Sequence, residues 1–187
     1  MSGTDKKCPK GLQLLIEENE LKEKAIELAR QIMKDHSHCT QLVLIGVLKG
    51  AFVFLADLMR ALAPFPVTID FVQTSSYGMN TKSTGNVQIT RDIQIDVHQQ
   101  PVVLVEDIMD SGYTVAHLKK IMFARGASSV KICSMLDKPS RREVDIQADY
   151  IGFTVPNRFV VGYGMDAGEN YRNLPFIAYL EEASESH

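Results

Sequence analysis

The stretch Val102-Val103-Leu104-Val105-Glu106-Asp107-Ile108-Met109-Asp110-Ser111-Gly112-Tyr113-Thr114 decides how this chain folds. Its first half is a continuous apolar run behind Pro101, which reads as a strand covered on both faces. Its second half is a hydroxyl and glycine turn from which residues 114–125 continue as an amphipathic helix stopped at Gly126. Residues 130–136 are apolar and extended again. Strand, helix and strand in this order imply parallel pairing with a right-handed crossover, because parallel neighbours need a long return path and a helix supplies it.

The alternation extends in both directions. Residues 20–34 carry Leu21, Ala25, Leu28, Ala29 and Ile32 at helical spacing between Glu and Lys, with Asn19 as the predicted cap. Residues 42–48 read as a buried strand, Lys49-Gly50 interrupts it, and 51–62 resumes as helix until Pro64 and Pro66 forbid continuation. Residues 67–72 form a β-branched strand, and the polar 73–86 reads as a long surface loop. Segments 150–153, 159–163 and 176–180 are further strands that extend the sheet edge or build a small cap from terminal segments. The predicted fold class is α/β, a parallel twisted sheet flanked by helices with that small cap.

With 187 residues, 12 Gly and 7 Pro, residues 1–187 fit one domain. A composition of 45% hydrophobic and 23% charged residues leaves disordered, collagen-like and fibrous classes without support. Twenty basic against twenty-three acidic side chains give a formal charge of −3, so nucleic acid and anionic membrane are not expected partners. Cys8, Cys39 and Cys133 are odd in number and far apart, which argues for a reducing compartment. With no leader-like apolar run in residues 1–10, a cytoplasmic protein is expected.

In an open parallel sheet, ligands sit outside the carboxyl ends of strands, and that is where Glu106, Asp107 and Asp110 fall. The turn from Ser111 to Thr114 can aim backbone N–H groups, hydroxyls and a helix N-terminus at a phosphate, with Gly112 permitting close approach. Glu106 and Asp107 would repel that anion, so they accept from vicinal sugar hydroxyls or hold a divalent cation. Taken singly these residues also suit solvated acids and a helix cap. Crowded behind one apolar strand, they ask for a cation or hydroxyl partner.

Residues 103–114 resemble the phosphoribosyl pyrophosphate signature of type I phosphoribosyltransferases, and the rest of the chain resembles the hypoxanthine-guanine branch of that family. Leu48-Lys49-Gly50 is similar to its pyrophosphate loop and Ser75-Ser76-Tyr77-Gly78 to its lid. Leu136-Asp137-Lys138-Pro139 is similar to its base-recognition segment, and residues 158–166 to its base-stacking and metal segment. The chain departs from the pattern at Tyr113 and at Ala167-Gly168. The resemblance implies transfer of a 5-phosphoribosyl group to N9 of hypoxanthine or guanine, giving IMP or GMP and pyrophosphate.

It also implies the site. Asp110 would be the general base facing purine N7. Glu106 and Asp107 would serve the ribose hydroxyls and Mg²⁺, with Asp166 as the second metal position. Ser111, Gly112, Tyr113 and Thr114 would bind the 5-phosphate. Lys49, Gly50 and Arg172 would grip pyrophosphate, with a non-proline cis peptide between Leu48 and Lys49. Lys138 would read the purine O6, Phe159 would stack on the base, and Val160 would offer its backbone to the purine edge. Ser76 and Tyr77 would belong to the lid, and the assembly would be a homodimer or homotetramer. A rival reading keeps the fold as a sensor of phosphoribosyl pyrophosphate that binds RNA or DNA. The absence of a basic stripe and the presence of both Lys138 and Asp110 argue against it.

Overall fold

The computed structural model describes residues 8–76 and 87–181. In chain order these form β1 (Leu12–Ile16), α1 (Glu18–Asp35), β2 (Leu42–Leu48), α2 (Phe52–Ala61), β3 (Val67–Ser76), β4 (Val87–Arg91) and β5 (Pro101–Met109). Next come α3 (Tyr113–Ala124), β6 (Ser129–Asp137), a 3₁₀ turn at Pro139–Arg141, β7 (Tyr150–Thr154), β8 (Val160–Val161) and β9 (Ile177–Leu180). Six strands build one sheet in the order β4-β3-β2-β5-β6-β7, and β1-β9-β8 build a separate small sheet. The large sheet is parallel from β3 through β7, and only the β3–β4 pair is antiparallel.

Strand alternation explains the two cores. On β2, Leu42 and Leu44 join Leu28 and Ile32 of α1 and Leu55 and Leu58 of α2, whereas Val43, Ile45 and Val47 join Val115, Leu118 and Met122 of α3. On β5, Val103 and Val105 face α1 and α2, and Val102 and Leu104 face α3. Both faces are covered, so both central strands read as unbroken apolar runs. The same period of two continues past the apolar run of β5, with Glu106 in phase with the α3 face and Asp107 with the α2 face.

Several expectations are corrected. Asn19 lies inside α1; the chain enters the helix at Glu17, whose N–H donates to Glu20 Oε2 at 2.9 Å. Residues 73–76 are not loop but the tail of β3, paired with β4 at the sheet edge. The β3 tail Gln73-Thr74-Ser75-Ser76 is polar and offers no apolar residue to read, whereas β4 alternates, with Val87 and Ile89 less exposed than Gln88 and Thr90. The rest of the expected loop, 77–86 with Tyr77, lies outside the described residues. β1 is a further strand that was not expected; it pairs antiparallel with the distant β9 and buries Leu12 and Ile16. The expected strand 159–163 shrinks to Val160–Val161 because Gly162 and Tyr163 turn out of it with φ of 97° and 52°. β7 extends the large sheet, whereas β8 and β9 form the cap.

Candidate active site

β5 runs on past its apolar core to Met109, so Glu106 and Asp107 belong to the strand itself and Asp110 is the first residue beyond it. Glu106 and Asp107 then line different hollows. Glu106 lines a cavity of about 90 Å³ with Ser111, Gly112 and Thr114 at the N-terminus of α3. Asp107 lines a cleft of about 320 Å³ together with Lys49, Gly50 and Arg172 and with Lys138, Phe159 and Val160. Asp166 and Met165 complete its wall. Ile108 and Asp110 line both hollows, which therefore adjoin.

The two carboxyls carry a solvation cost that their surroundings relieve only in part. Glu106 is 8% exposed, and its Oε2 is buried without a hydrogen-bond partner. Burial, and after it the Asp107 charge, push Glu106 well above the usual carboxylate range. Burial raises Asp107 as well, although its Oδ1 accepts from the Ile108 N–H at 2.9 Å.

Gly50 is held by close approach. A Cβ there would lie 1.7 Å from Asp107 Oδ2, and a Cβ on Gly164 would lie 2.1 Å from the Gly50 carbonyl oxygen. The peptide between Leu48 and Lys49 is cis, as the resemblance implied. Lys49 Nζ lies 3.0 Å from Glu169 Oε2. Arg172 donates from Nη1 to the Gly164 carbonyl at 2.8 Å, and its Nη2 lies 2.9 Å from Asp166 Oδ1.

Lys138 is 7% exposed, and burial lowers its pKa against the raising effect of Asp110. Its N–H donates to the Met109 carbonyl at 3.0 Å, which ties the end of β6 to the end of β5. Phe159 is 57% exposed, an open ring face at the cleft. The cap sheet places it: the Leu180 N–H donates to the Phe159 carbonyl at 3.0 Å, and the preceding Arg158 lies over the Tyr179 ring at 3.9 Å.

Two residues that carried no signal of their own in the sequence shape the turn after β5. Arg141 Nε donates to Asp110 Oδ1 at 3.2 Å. Arg142 donates from Nη1 to the Asp110 carbonyl at 2.6 Å and pairs through Nη2 with Asp137. The Glu143 N–H donates to the Ser111 carbonyl at 3.0 Å, so the 141–143 segment fastens the turn that opens α3. Gly112, at φ 87°, fits beneath Val144 and Ile146 because it has no side chain. The only hint was the Arg-Arg doublet directly after Lys138-Pro139-Ser140.

Most of the expected constellation thus converges. The Tyr113 side chain lines a separate groove along α3 with His117, Lys120 and Phe123, while its backbone opens the helix directly after Gly112. Ser76 ends β3 opposite Val87, and Tyr77 lies outside the described residues. Among the described residues no three His, Cys, Asp or Glu side chains gather around one metal position.

Residues 15–167 match the sequence model of the phosphoribosyl transferase domain. The chain belongs to the phosphoribosyltransferases. A hypoxanthine-guanine phosphoribosyltransferase of Aquifex aeolicus is 43% identical over 173 residues, covering 92% of this chain and 97% of that relative. One of Bacillus subtilis is 44% identical over 171 residues, covering 91% and 94%. The hypoxanthine-guanine branch is where the chain falls within its family. A crystal structure of a hypoxanthine-guanine phosphoribosyltransferase from Bacillus anthracis, with HEPES in its active site, superposes with a TM-score of 0.85 at 49% identity. That match covers 89% of this chain and 97% of the other.

Proposed function

We propose that the chain, as one phosphoribosyltransferase domain, transfers the 5-phosphoribosyl group of phosphoribosyl pyrophosphate to N9 of hypoxanthine or guanine, releasing pyrophosphate and IMP or GMP. One observation carries this reading: a phosphate-sized cavity at a helix N-terminus adjoins a cleft lined by two cations, Lys49 and Arg172, and by an aromatic face, a lysine and a carboxylate, Phe159, Lys138 and Asp110. A nucleotide and its departing pyrophosphate need these subsites.

The 5-phosphate fits the Ser111–Thr114 turn, where backbone N–H groups and the helix dipole favour an anion. Glu106 and Asp107 then lie against the ribose, and the unpartnered Glu106 Oε2 finds there the hydroxyl it lacks. Phe159 stacks on the purine, and Lys138 donates to O6, which favours oxopurines over adenine. As the bond between C1′ and the pyrophosphate oxygen breaks, its electron pair leaves with pyrophosphate, and Lys49 and Arg172 hold the growing negative charge. Purine N9 forms the new bond to C1′ while Asp110 accepts the proton from N7.

Mg²⁺ would neutralise and orient the pyrophosphate oxygens. The donor set fits it: one or two carboxylates with substrate oxygens is the usual magnesium pattern, and Asp107 and Asp166 line the cleft with Lys49 and Arg172. Ser76 and Tyr77 belong, on this reading, to a lid that shields the ribosyl cation from water. The enzyme works in the cytoplasm as a homodimer or homotetramer. Its cysteines are free, and no helix among the described residues is long and apolar enough to cross a membrane.

The test is a panel of hypoxanthine, guanine, xanthine and adenine with phosphoribosyl pyrophosphate and Mg²⁺, scored by pyrophosphate release. Release with hypoxanthine or guanine is the expected result. Silence with every purine refutes the reading and favours a sensor.

A further inference from the structure

Glu169 stands three residues beyond Asp166 in the left-handed backbone region, with φ 67°. Residues other than glycine rarely hold this conformation unless their surroundings impose it. Here the surroundings do so: the Glu169 N–H donates to Asp166 Oδ2 at 2.7 Å, and Asn170 Nδ2 donates to the Gly168 carbonyl at 3.0 Å. The result is an aim. Glu169 Oε2 lies 3.0 Å from Lys49 Nζ and 3.4 Å from Arg172 Nη2, between the end of β2 and the segment before β9.

The two cations that this carboxylate bridges are those assigned under the proposed function to pyrophosphate, and the inference rests on that assignment. A single carboxylate oxygen shared by an ammonium and a guanidinium has the charge and reach of one pyrophosphate oxygen. We propose that Glu169 is an internal stand-in for pyrophosphate. It compensates Lys49 and Arg172 in the empty site, and it has to swing out when the pyrophosphate moiety enters. The exchange keeps both cations ordered in the empty site, and it weakens the hold on the leaving group by the strength of the bridge. Glu169 touches no reacting atom, so it is a positioning residue.

The size of the effect is bounded by exposure. The Lys49 and Glu169 side chains are 53% and 65% exposed, so the bridge is worth an exposed ion pair, about a two- to fivefold change in an equilibrium constant. Calorimetric titration of inorganic pyrophosphate in magnesium buffer reads it directly. E169Q keeps the shape and removes the charge; its dissociation constant for pyrophosphate should fall about two- to fivefold, and the gain should shrink in high salt. The KM for phosphoribosyl pyrophosphate should fall with it, while the KM for the purine stays put. E169D, one methylene shorter, should fall between. A turn residue of purely structural importance would not produce that split. R172A serves as the control. E169Q and E169D that bind pyrophosphate no more tightly than wild type, beside a weakened R172A, overturn the Glu169 proposal alone. Wild type with no pyrophosphate signal, or R172A as tight as wild type, overturns the pyrophosphate subsite and this proposal with it.

Discussion

Replacing Gly50 by alanine tests the geometry on which the cleft depends. The new methyl carbon would sit 1.7 Å from Asp107 Oδ2 and 2.5 Å from its Cγ, far inside contact distance. Neither side can yield cheaply. Asp107 is half-buried in the cleft wall with its Oδ1 held by the Ile108 N–H at 2.9 Å, and the Gly50 carbonyl already abuts Gly164, where a Cβ would lie 2.1 Å from it. Overpacking of this kind costs about 1–3 kcal/mol. For a domain of this size each kcal/mol lowers the melting temperature by about 2–4 °C, which predicts a fall of about 2–12 °C. Because the clash pushes Asp107 away from the place proposed for the ribose, kcat/KM should fall by about a hundredfold, the scale of loss that a misplacement near 1 Å can cause. Differential scanning calorimetry and initial-rate kinetics on G50A measure both. The double variant G50A/D107A separates the two effects: melting should recover once the carboxylate is gone, whereas activity should not. G50A with wild-type melting and wild-type kcat/KM would refute the close approach and the role of Asp107 together.

Asp110→Asn should lower kcat by about 10²–10⁴-fold with IMP affinity nearly intact, because it removes the proton acceptor and little contact area; single-turnover kinetics beside nucleotide titration separates the two. Arg172→Ala should raise the KM for phosphoribosyl pyrophosphate more than the KM for hypoxanthine, since Arg172 is one of the two cleft cations assigned to pyrophosphate and also secures Gly164. On the proposed reading Lys138 donates to O6 only as an ammonium, and burial lowers its pKa. The hypoxanthine KM should therefore rise with pH below the range where an ordinary lysine titrates, and K138Q should raise KM while flattening that limb. A wild-type KM that is level up to the ordinary lysine range would count against the assignment of Lys138.

Features legible in the sequence had a local cause. The apolar runs of β2, β5 and β6 are continuous because both faces of those strands are covered, and α1 and α3 show helical period because one face of each is wet. The acids and the hydroxyl turn after Val105 were legible because a strand end followed by a helix start is a contiguous device. β1 and β4 were not, because a short edge strand owes its order to a distant partner. Arg141 and Arg142 matter only because the turn after β6 folds over the turn after β5. Glu169 matters only because β2 and the segment before β9 end side by side. The chain order alone determined an α/β sheet and an anion turn flanked by carboxylates. Tertiary structure decided which hollow each carboxylate enters, which cations meet, and which groove the Tyr113 side chain lines. Alternation and capping act between neighbours along the chain, whereas ion pairs, close backbone approaches and cavities act between segments that only folding brings together.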